Sequence, residues 1–149
     1  MQGMEFMKMF VIGLTIAACA SASSPNDPEL SVGGSYPTVV SLAASTCTGI
    51  TVQSMATSVS HASGSTAVVL THAGQAYSGT VSTAGAFTTT PKAVTAGSDT
   101  HTLTISGQFT TSGFTATVNA SVTSPSSPAC TYSVQWVGTK TGSPNVIPG

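Results

Sequence analysis

The chain holds three histidines, His61, His72 and His101, and these are its only imidazoles for proton transfer or metal binding. None stands in an H-E-x-x-H or comparable ligand spacing, so the pattern defines no metal site. No G-x-S-x-G nucleophile elbow is present either. Past the N-terminal segment, the acids are Asp27, Glu29 and Asp99. Glycoside hydrolysis needs two facing carboxylates, and only Asp99 falls within the stretch expected to fold. The residues therefore point to a non-enzymatic protein with no cofactor and no metal. A different chemistry is open to Tyr77, His101, Tyr132 and Trp136. Such rings can line a cavity for a sugar or an apolar molecule, or they can fill a core.

The surrounding composition narrows the classes further. Of 149 residues, three are basic and four acidic, 5% in all, and none is Arg. Soluble domains carry about a quarter. Roughly a third of the chain is Ser or Thr. With so few cations there is no basic patch to neutralise phosphates, which excludes nucleic acid as a partner. Coiled coils and charge-laced helices are excluded on the same ground. Charge-driven disorder is excluded too, because the net charge is −1 and the mean hydropathy +0.30. The length fits one domain.

The elements that position the aromatic residues are legible from about Tyr36 onward. Over 99–109, His101, Leu103, Ile105, Gly107 and Phe109 share one face, and Thr100, Thr102, Thr104, Ser106 and Gln108 the other. Over 113–123, Phe114, Ala116, Val118, Ala120 and Val122 alternate with Thr115, Thr117, Asn119 and Ser121. Over 129–140, Cys130, Tyr132, Val134, Trp136 and Gly138 alternate with Thr131, Ser133, Gln135, Val137 and Thr139. A period of two marks half-buried antiparallel strands. Further strands fall at about 66–72, 75–83 and 86–91, with weaker ones at 37–44 and 46–55. His72-Ala73-Gly74, Thr83-Ala84-Gly85 and Thr111-Ser112-Gly113 read as tight turns between them.

The expectation is an all-β domain of seven or eight strands in an antiparallel up-and-down meander. It closes into a small barrel or rolled sheet, with a β-sandwich as the alternative. Closure removes the bare edges that a Lys-poor sheet would otherwise expose. The meander places His72 and His101 at one end with Lys92 and Asp99, and His61 in a loop near the other. Small inward residues such as Gly79, Gly107, Ala116 and Ala120 either leave room for a ligand or accommodate tight curvature.

Ahead of the domain, Met9–Ala18 is an apolar run of about ten residues behind Lys8. Spanning a bilayer takes about twenty. The run reads as the core of a secretory leader over residues 1–18, and a start at Met4 or Met7 would omit part of its polar beginning. It ends in Ile16-Ala17-Ala18-Cys19, which resembles the lipobox of bacterial lipoproteins. The resemblance implies acylation of Cys19, cleavage before it, and a membrane partner held through that lipid. With Ala20 rather than Asp next, it implies the outer membrane, with the domain periplasmic or at the cell surface. An ordinary secretory leader cut after Ala20 or Ala22, giving a secreted protein, is the alternative. Residues 19–35, rich in Ser, Pro and Gly, read as a flexible tether, 36–142 as the all-β domain and 143–149 as a disordered tail.

With Cys19 assigned to the lipobox, Cys47 and Cys130 form an even pair in an exported domain, which predicts a disulfide. Both fall at the same end of the meander, so the bridge would tie an early strand to the last.

The whole chain is similar in style to small bacterial lipoproteins that carry a β-barrel or sandwich on a short tether. Together with the missing catalytic spacings, this points to a non-enzymatic envelope module. Its role would be structural or adhesive, with an envelope protein or a glycan as partner. The alternative is a lipocalin-like carrier with a cavity at an open barrel mouth, holding a small apolar ligand or a sugar. A third reading rests on the rows Thr100, Thr102, Thr104 and Thr115, Thr117, which could bind ice if they lay flat. Sheet twist opposes that.

Overall fold

A computed structural model describes residues 27–149, and among these residues there is no helix. Nine strands follow one another: β1 (Gly34–Ser45), β2 (Met55–Ser60), β3 (Ala67–His72), β4 (Gln75–Val81), β5 (Ala86–Thr89), β6 (Lys92–Ala96), β7 (Asp99–Thr110), β8 (Gly113–Thr123) and β9 (Cys130–Thr139). Every pairing is antiparallel. The order is β5-β4-β3-β2-β1-β9-β8-β7-β6, and a further pairing of β5 with β7 closes the sheet. The result is an eight-strand barrel with β6 as one extra strand.

The extra strand follows from Pro91. β5 pairs with Ser106–Gln108 of β7, and β6 pairs with Asp99–Leu103 of the same strand. Pro91 lies between them and has no N–H for a ladder. After Thr90, whose N–H still donates to the Ser78 carbonyl, the chain leaves β4, whose first residues, Gln75–Tyr77, then pair with β3 alone. Lys92 spans the gap, its Nζ donating to the carbonyl of Ala76 at 2.8 Å. The barrel wall is thus complete at one end and parted at the other.

The complete end is solid. Tyr36, Phe87, Phe109 and Phe114 pack with Leu30, Val32, Val59, Val68 and Val81. The ring centroids of Phe87 and Phe109 are 4.6 Å apart, and Tyr36 meets Phe114 edge-on at 5.2 Å. Gly79 and Gly107 do not leave space here. A Cβ on Gly79 would collide with the Thr88 carbonyl, and one on Gly107 with the Thr115 carbonyl and the Ala116 side chain. These glycines let adjacent strands coil tightly, so of the two sequence readings the curvature one describes them.

Four sequence expectations differ from the structure. The strand expected at 46–55 is a loop, with Gly49 at φ 71°, and β2 begins only at Met55. The sequence does not show β2 as a strand of its own because Thr57, buried beside Val59 on its inward face, breaks the apolar alternation. β6 was also unforeseen. The domain begins before Tyr36, since Leu30 and Val32 are core residues, so residues 30–35 are not tether. Nor are 143–149 a free tail: Asn145 is buried, and Val146 pairs with Ser31. The leader, Cys19 and the first part of the tether lie outside the described residues.

Candidate ligand-binding site at the barrel mouth

At the parted end, the barrel interior opens into a cavity of about 480 Å³, within the range typical of small-molecule sites. Its floor is Trp136, projected inward from the middle of β9. His72, the last residue of β3, stacks on it with centroids 4.3 Å apart and planes 31° apart. Tyr77 of β4 meets the indole edge-on at 6.5 Å. His101 of β7 and Tyr132 of β9 complete the ring of aromatics, with His101 Nδ1 2.9 Å from the Tyr132 hydroxyl. Val40, Leu103, Val118 and Val134 supply aliphatic wall, and Ile50, Val52 and Gln53 of the 46–54 loop lie across the opening.

Tyr77, His101, Tyr132 and Trp136, which the sequence reading offered as candidate ligand contacts, all line this one cavity. His72 was read only as an end-of-barrel histidine. Its signal was present, because Val68, Leu70 and His72 share the inward parity of β3. Cys47 and Cys130 are bridged, with Cα atoms 5.2 Å apart, beside the mouth where the 46–54 loop starts. His61 lies at the opposite end, with its Nε2 2.8 Å from the carbonyl of Ser65. Among the described residues no three His, Cys, Asp or Glu come together as metal ligands.

A polar chain backs the aromatic wall. Thr57 Oγ1 lies 2.9 Å from His72 Nδ1 and 2.8 Å from Thr38 Oγ1. Thr38 in turn donates to the carbonyl of Tyr36 at 2.8 Å. Thr38, Thr57 and His72 are all buried, and each is held by the next, as buried polar groups must be.

No protein-family model, curated protein or solved structure matches this chain.

Burial also sets the proton chemistry of the mouth. Desolvation holds His72 below its ordinary value of 6.5 and pushes Tyr132 above the usual tyrosine range. Tyr77 is raised in the same direction by burial and by the neighbouring Tyr132. For His72 the sign is definite. The unfolded chain takes up a proton near pH 6.5, which the native state resists. Its contribution to stability is therefore full above that pH and is lost as pH falls through the lower native value. The melting temperature should decline below about pH 6.5, and His72→Gln should flatten that decline. Equal slopes in the two proteins, followed by calorimetry across this range, would assign the loss elsewhere.

Of the threonine rows, Thr102 and Thr104 line a groove of about 510 Å³ together with Asn119, Ser121, Thr131 and Ser133.

Proposed function

We propose that this chain is a non-enzymatic, envelope-anchored binding protein whose barrel mouth takes one small, uncharged ligand. The observation that carries the reading is the asymmetry of the barrel interior. One end is filled by Tyr36, Phe87, Phe109 and Phe114, while the other opens into an aromatic cavity. A purely structural or adhesive role needs no such cavity, so the carrier alternative is favoured within the envelope reading. The lining contains no Asp, Glu, Lys or Arg, and Lys92, 5.8 Å from the Tyr77 ring, is engaged with the Ala76 carbonyl, so the lining itself gives a charged ligand no counter-charge.

The anchor fits this use. The chain joins the fold at the filled end, through Leu30 and Val32. A lipid on Cys19 would therefore tether the filled end and leave the mouth facing away from the membrane.

Two experiments test the two halves. In a bacterial host, Cys19→Ser should move the protein from the membrane fraction to the soluble one; retention in the membrane rejects the lipid anchor. Titration with the apolar probe N-phenyl-1-naphthylamine should give saturable quenching of Trp136, the only Trp in the chain. Replacing Trp136 with Ala should weaken probe binding, read from the probe's own emission, at least about tenfold. Binding that does not saturate, or that the substitution leaves untouched, rejects the cavity as the site.

A further inference from the structure

We propose that the mouth selects a flat, uncharged molecule bearing a hydrogen-bond donor, and that the donor is received by Nε2 of His72. The inference rests on the carrier reading above and names the chemistry of its ligand.

The direction of the polar chain behind the wall fixes the imidazole. The Thr38 hydroxyl has one proton, and it is spent on the Tyr36 carbonyl. The proton between Thr38 and Thr57 must then come from Thr57. That leaves Thr57 with only lone pairs toward His72, so Nδ1 of His72 is the donor in their 2.9 Å contact. A neutral imidazole with its proton on Nδ1 carries a bare lone pair on Nε2. Stacking on Trp136 and the bond to Thr57 hold the ring in place, so this acceptor has a fixed direction.

Among the described residues, Nε2 of His72 has no hydrogen-bond partner, and neither has Nε1 of Trp136 or the hydroxyl of Tyr77. The three side chains are nevertheless more than nine-tenths buried, at 8%, 5% and 6% exposure. No fully enclosed side-chain N or O among the described residues is left unpartnered, so these atoms are reached through the cavity they line. These three atoms offer one obligate acceptor, one obligate donor and one hydroxyl that can act either way, beside the polar groups of Gln53 and the bonded His101–Tyr132 pair. Around them stand five rings, His72, Tyr77, His101, Tyr132 and Trp136, whose faces and edges best match another ring. A molecule without a donor would bury the Nε2 lone pair unpaired, and that cost is the source of selectivity.

The test uses two related flat probes, p-cresol and 4-methylanisole, which differ in an O–H against an O–CH3. Calorimetric titration of the full chain should give at least about tenfold tighter binding of p-cresol. His72→Phe, which keeps the stacked ring and removes the acceptor, should bring the two affinities to within about threefold of each other. Nitrogen-15 spectra of the imidazoles should show His72 protonated on Nδ1, a result that needs no ligand. Equal wild-type affinities for the two probes would overturn this inference and leave the carrier reading standing. A proton on Nε2 would overturn it equally, whatever binds. Binding of neither probe overturns the carrier reading and takes this inference with it.

Discussion

Replacing both Cys47 and Cys130 with Ser should lower the melting temperature by about 10–20 °C. The bridge joins residues 83 apart in sequence. On the chain-entropy model, closing such a loop in the unfolded state contributes roughly 4–5 kcal/mol. That is a large share of the roughly 5–15 kcal/mol that holds a domain together. Its position adds a second effect. The bridge stands beside the seam where β1 pairs with β9, two residues beyond the Ser45–Tyr132 pair. From Cys47 the chain continues through residues 48–53, which form no strand and line the mouth. The seam itself keeps its ladder without the bridge, so the barrel should still close, while the loop loses its fixed end. Calorimetry of wild type with and without reductant, beside the double variant, checks the magnitude. A shift of less than about 3 °C would mean that the unfolded chain is already restricted near this seam.

Much of the barrel was legible because β7, β8 and β9 carry unbroken alternation, and their inward sets, from Ile105 to Phe109 and from Phe114 to Val122, are the residues the structure buries. Parity fixes the face of every residue on a strand. For the same reason Tyr132 and Trp136 could be placed inward together before the cavity was known. What sequence could not show was decided by pairing across the barrel. Thr38 and Thr57 look like exposed strand residues until they bond to each other and to His72 inside the barrel. The segments 30–33 and 145–147 have no period of their own, and they become structure only by pairing with each other under the filled end. Whether the interior is packed or hollow was also beyond parity, since it depends on where Pro91 parts β5 from β6. The mouth residues were therefore readable as a set of inward rings, but the space between them was not.

Tyr36→Phe should cost about 2–4 kcal/mol at neutral pH and change the alkaline limit of the fold. The Tyr36 hydroxyl lies 2.5 Å from the carbonyl of Val32 and 2.8 Å from Oδ1 of Asn145. Asn145 Nδ2 donates to the carbonyl of Thr110 at 2.9 Å, which fixes Oδ1 toward the phenol. One phenolic proton thus serves two acceptors, one from each terminal segment, and its removal leaves both without a donor. An unsatisfied buried acceptor costs about 1–3 kcal/mol. Tyr36 has no exposed surface, and burial, partly offset by the bond to Asn145, pushes its pKa up to about 12. The neutral phenol is the form the fold favours. Its contribution is complete below about pH 10 and is lost as pH rises from there through 12. A rise from 10.0 to about 12 corresponds to roughly 3 kcal/mol. Wild type should therefore lose stability steeply in this range. The variant, less stable at neutral pH, should decline more gently, because only Tyr77 and Tyr132 are displaced upward in it. The two melting curves should converge toward pH 12. Parallel curves would mean that Tyr36 acts by shape alone, and that the two terminal segments are held by the Ser31–Val146 bridge without its proton.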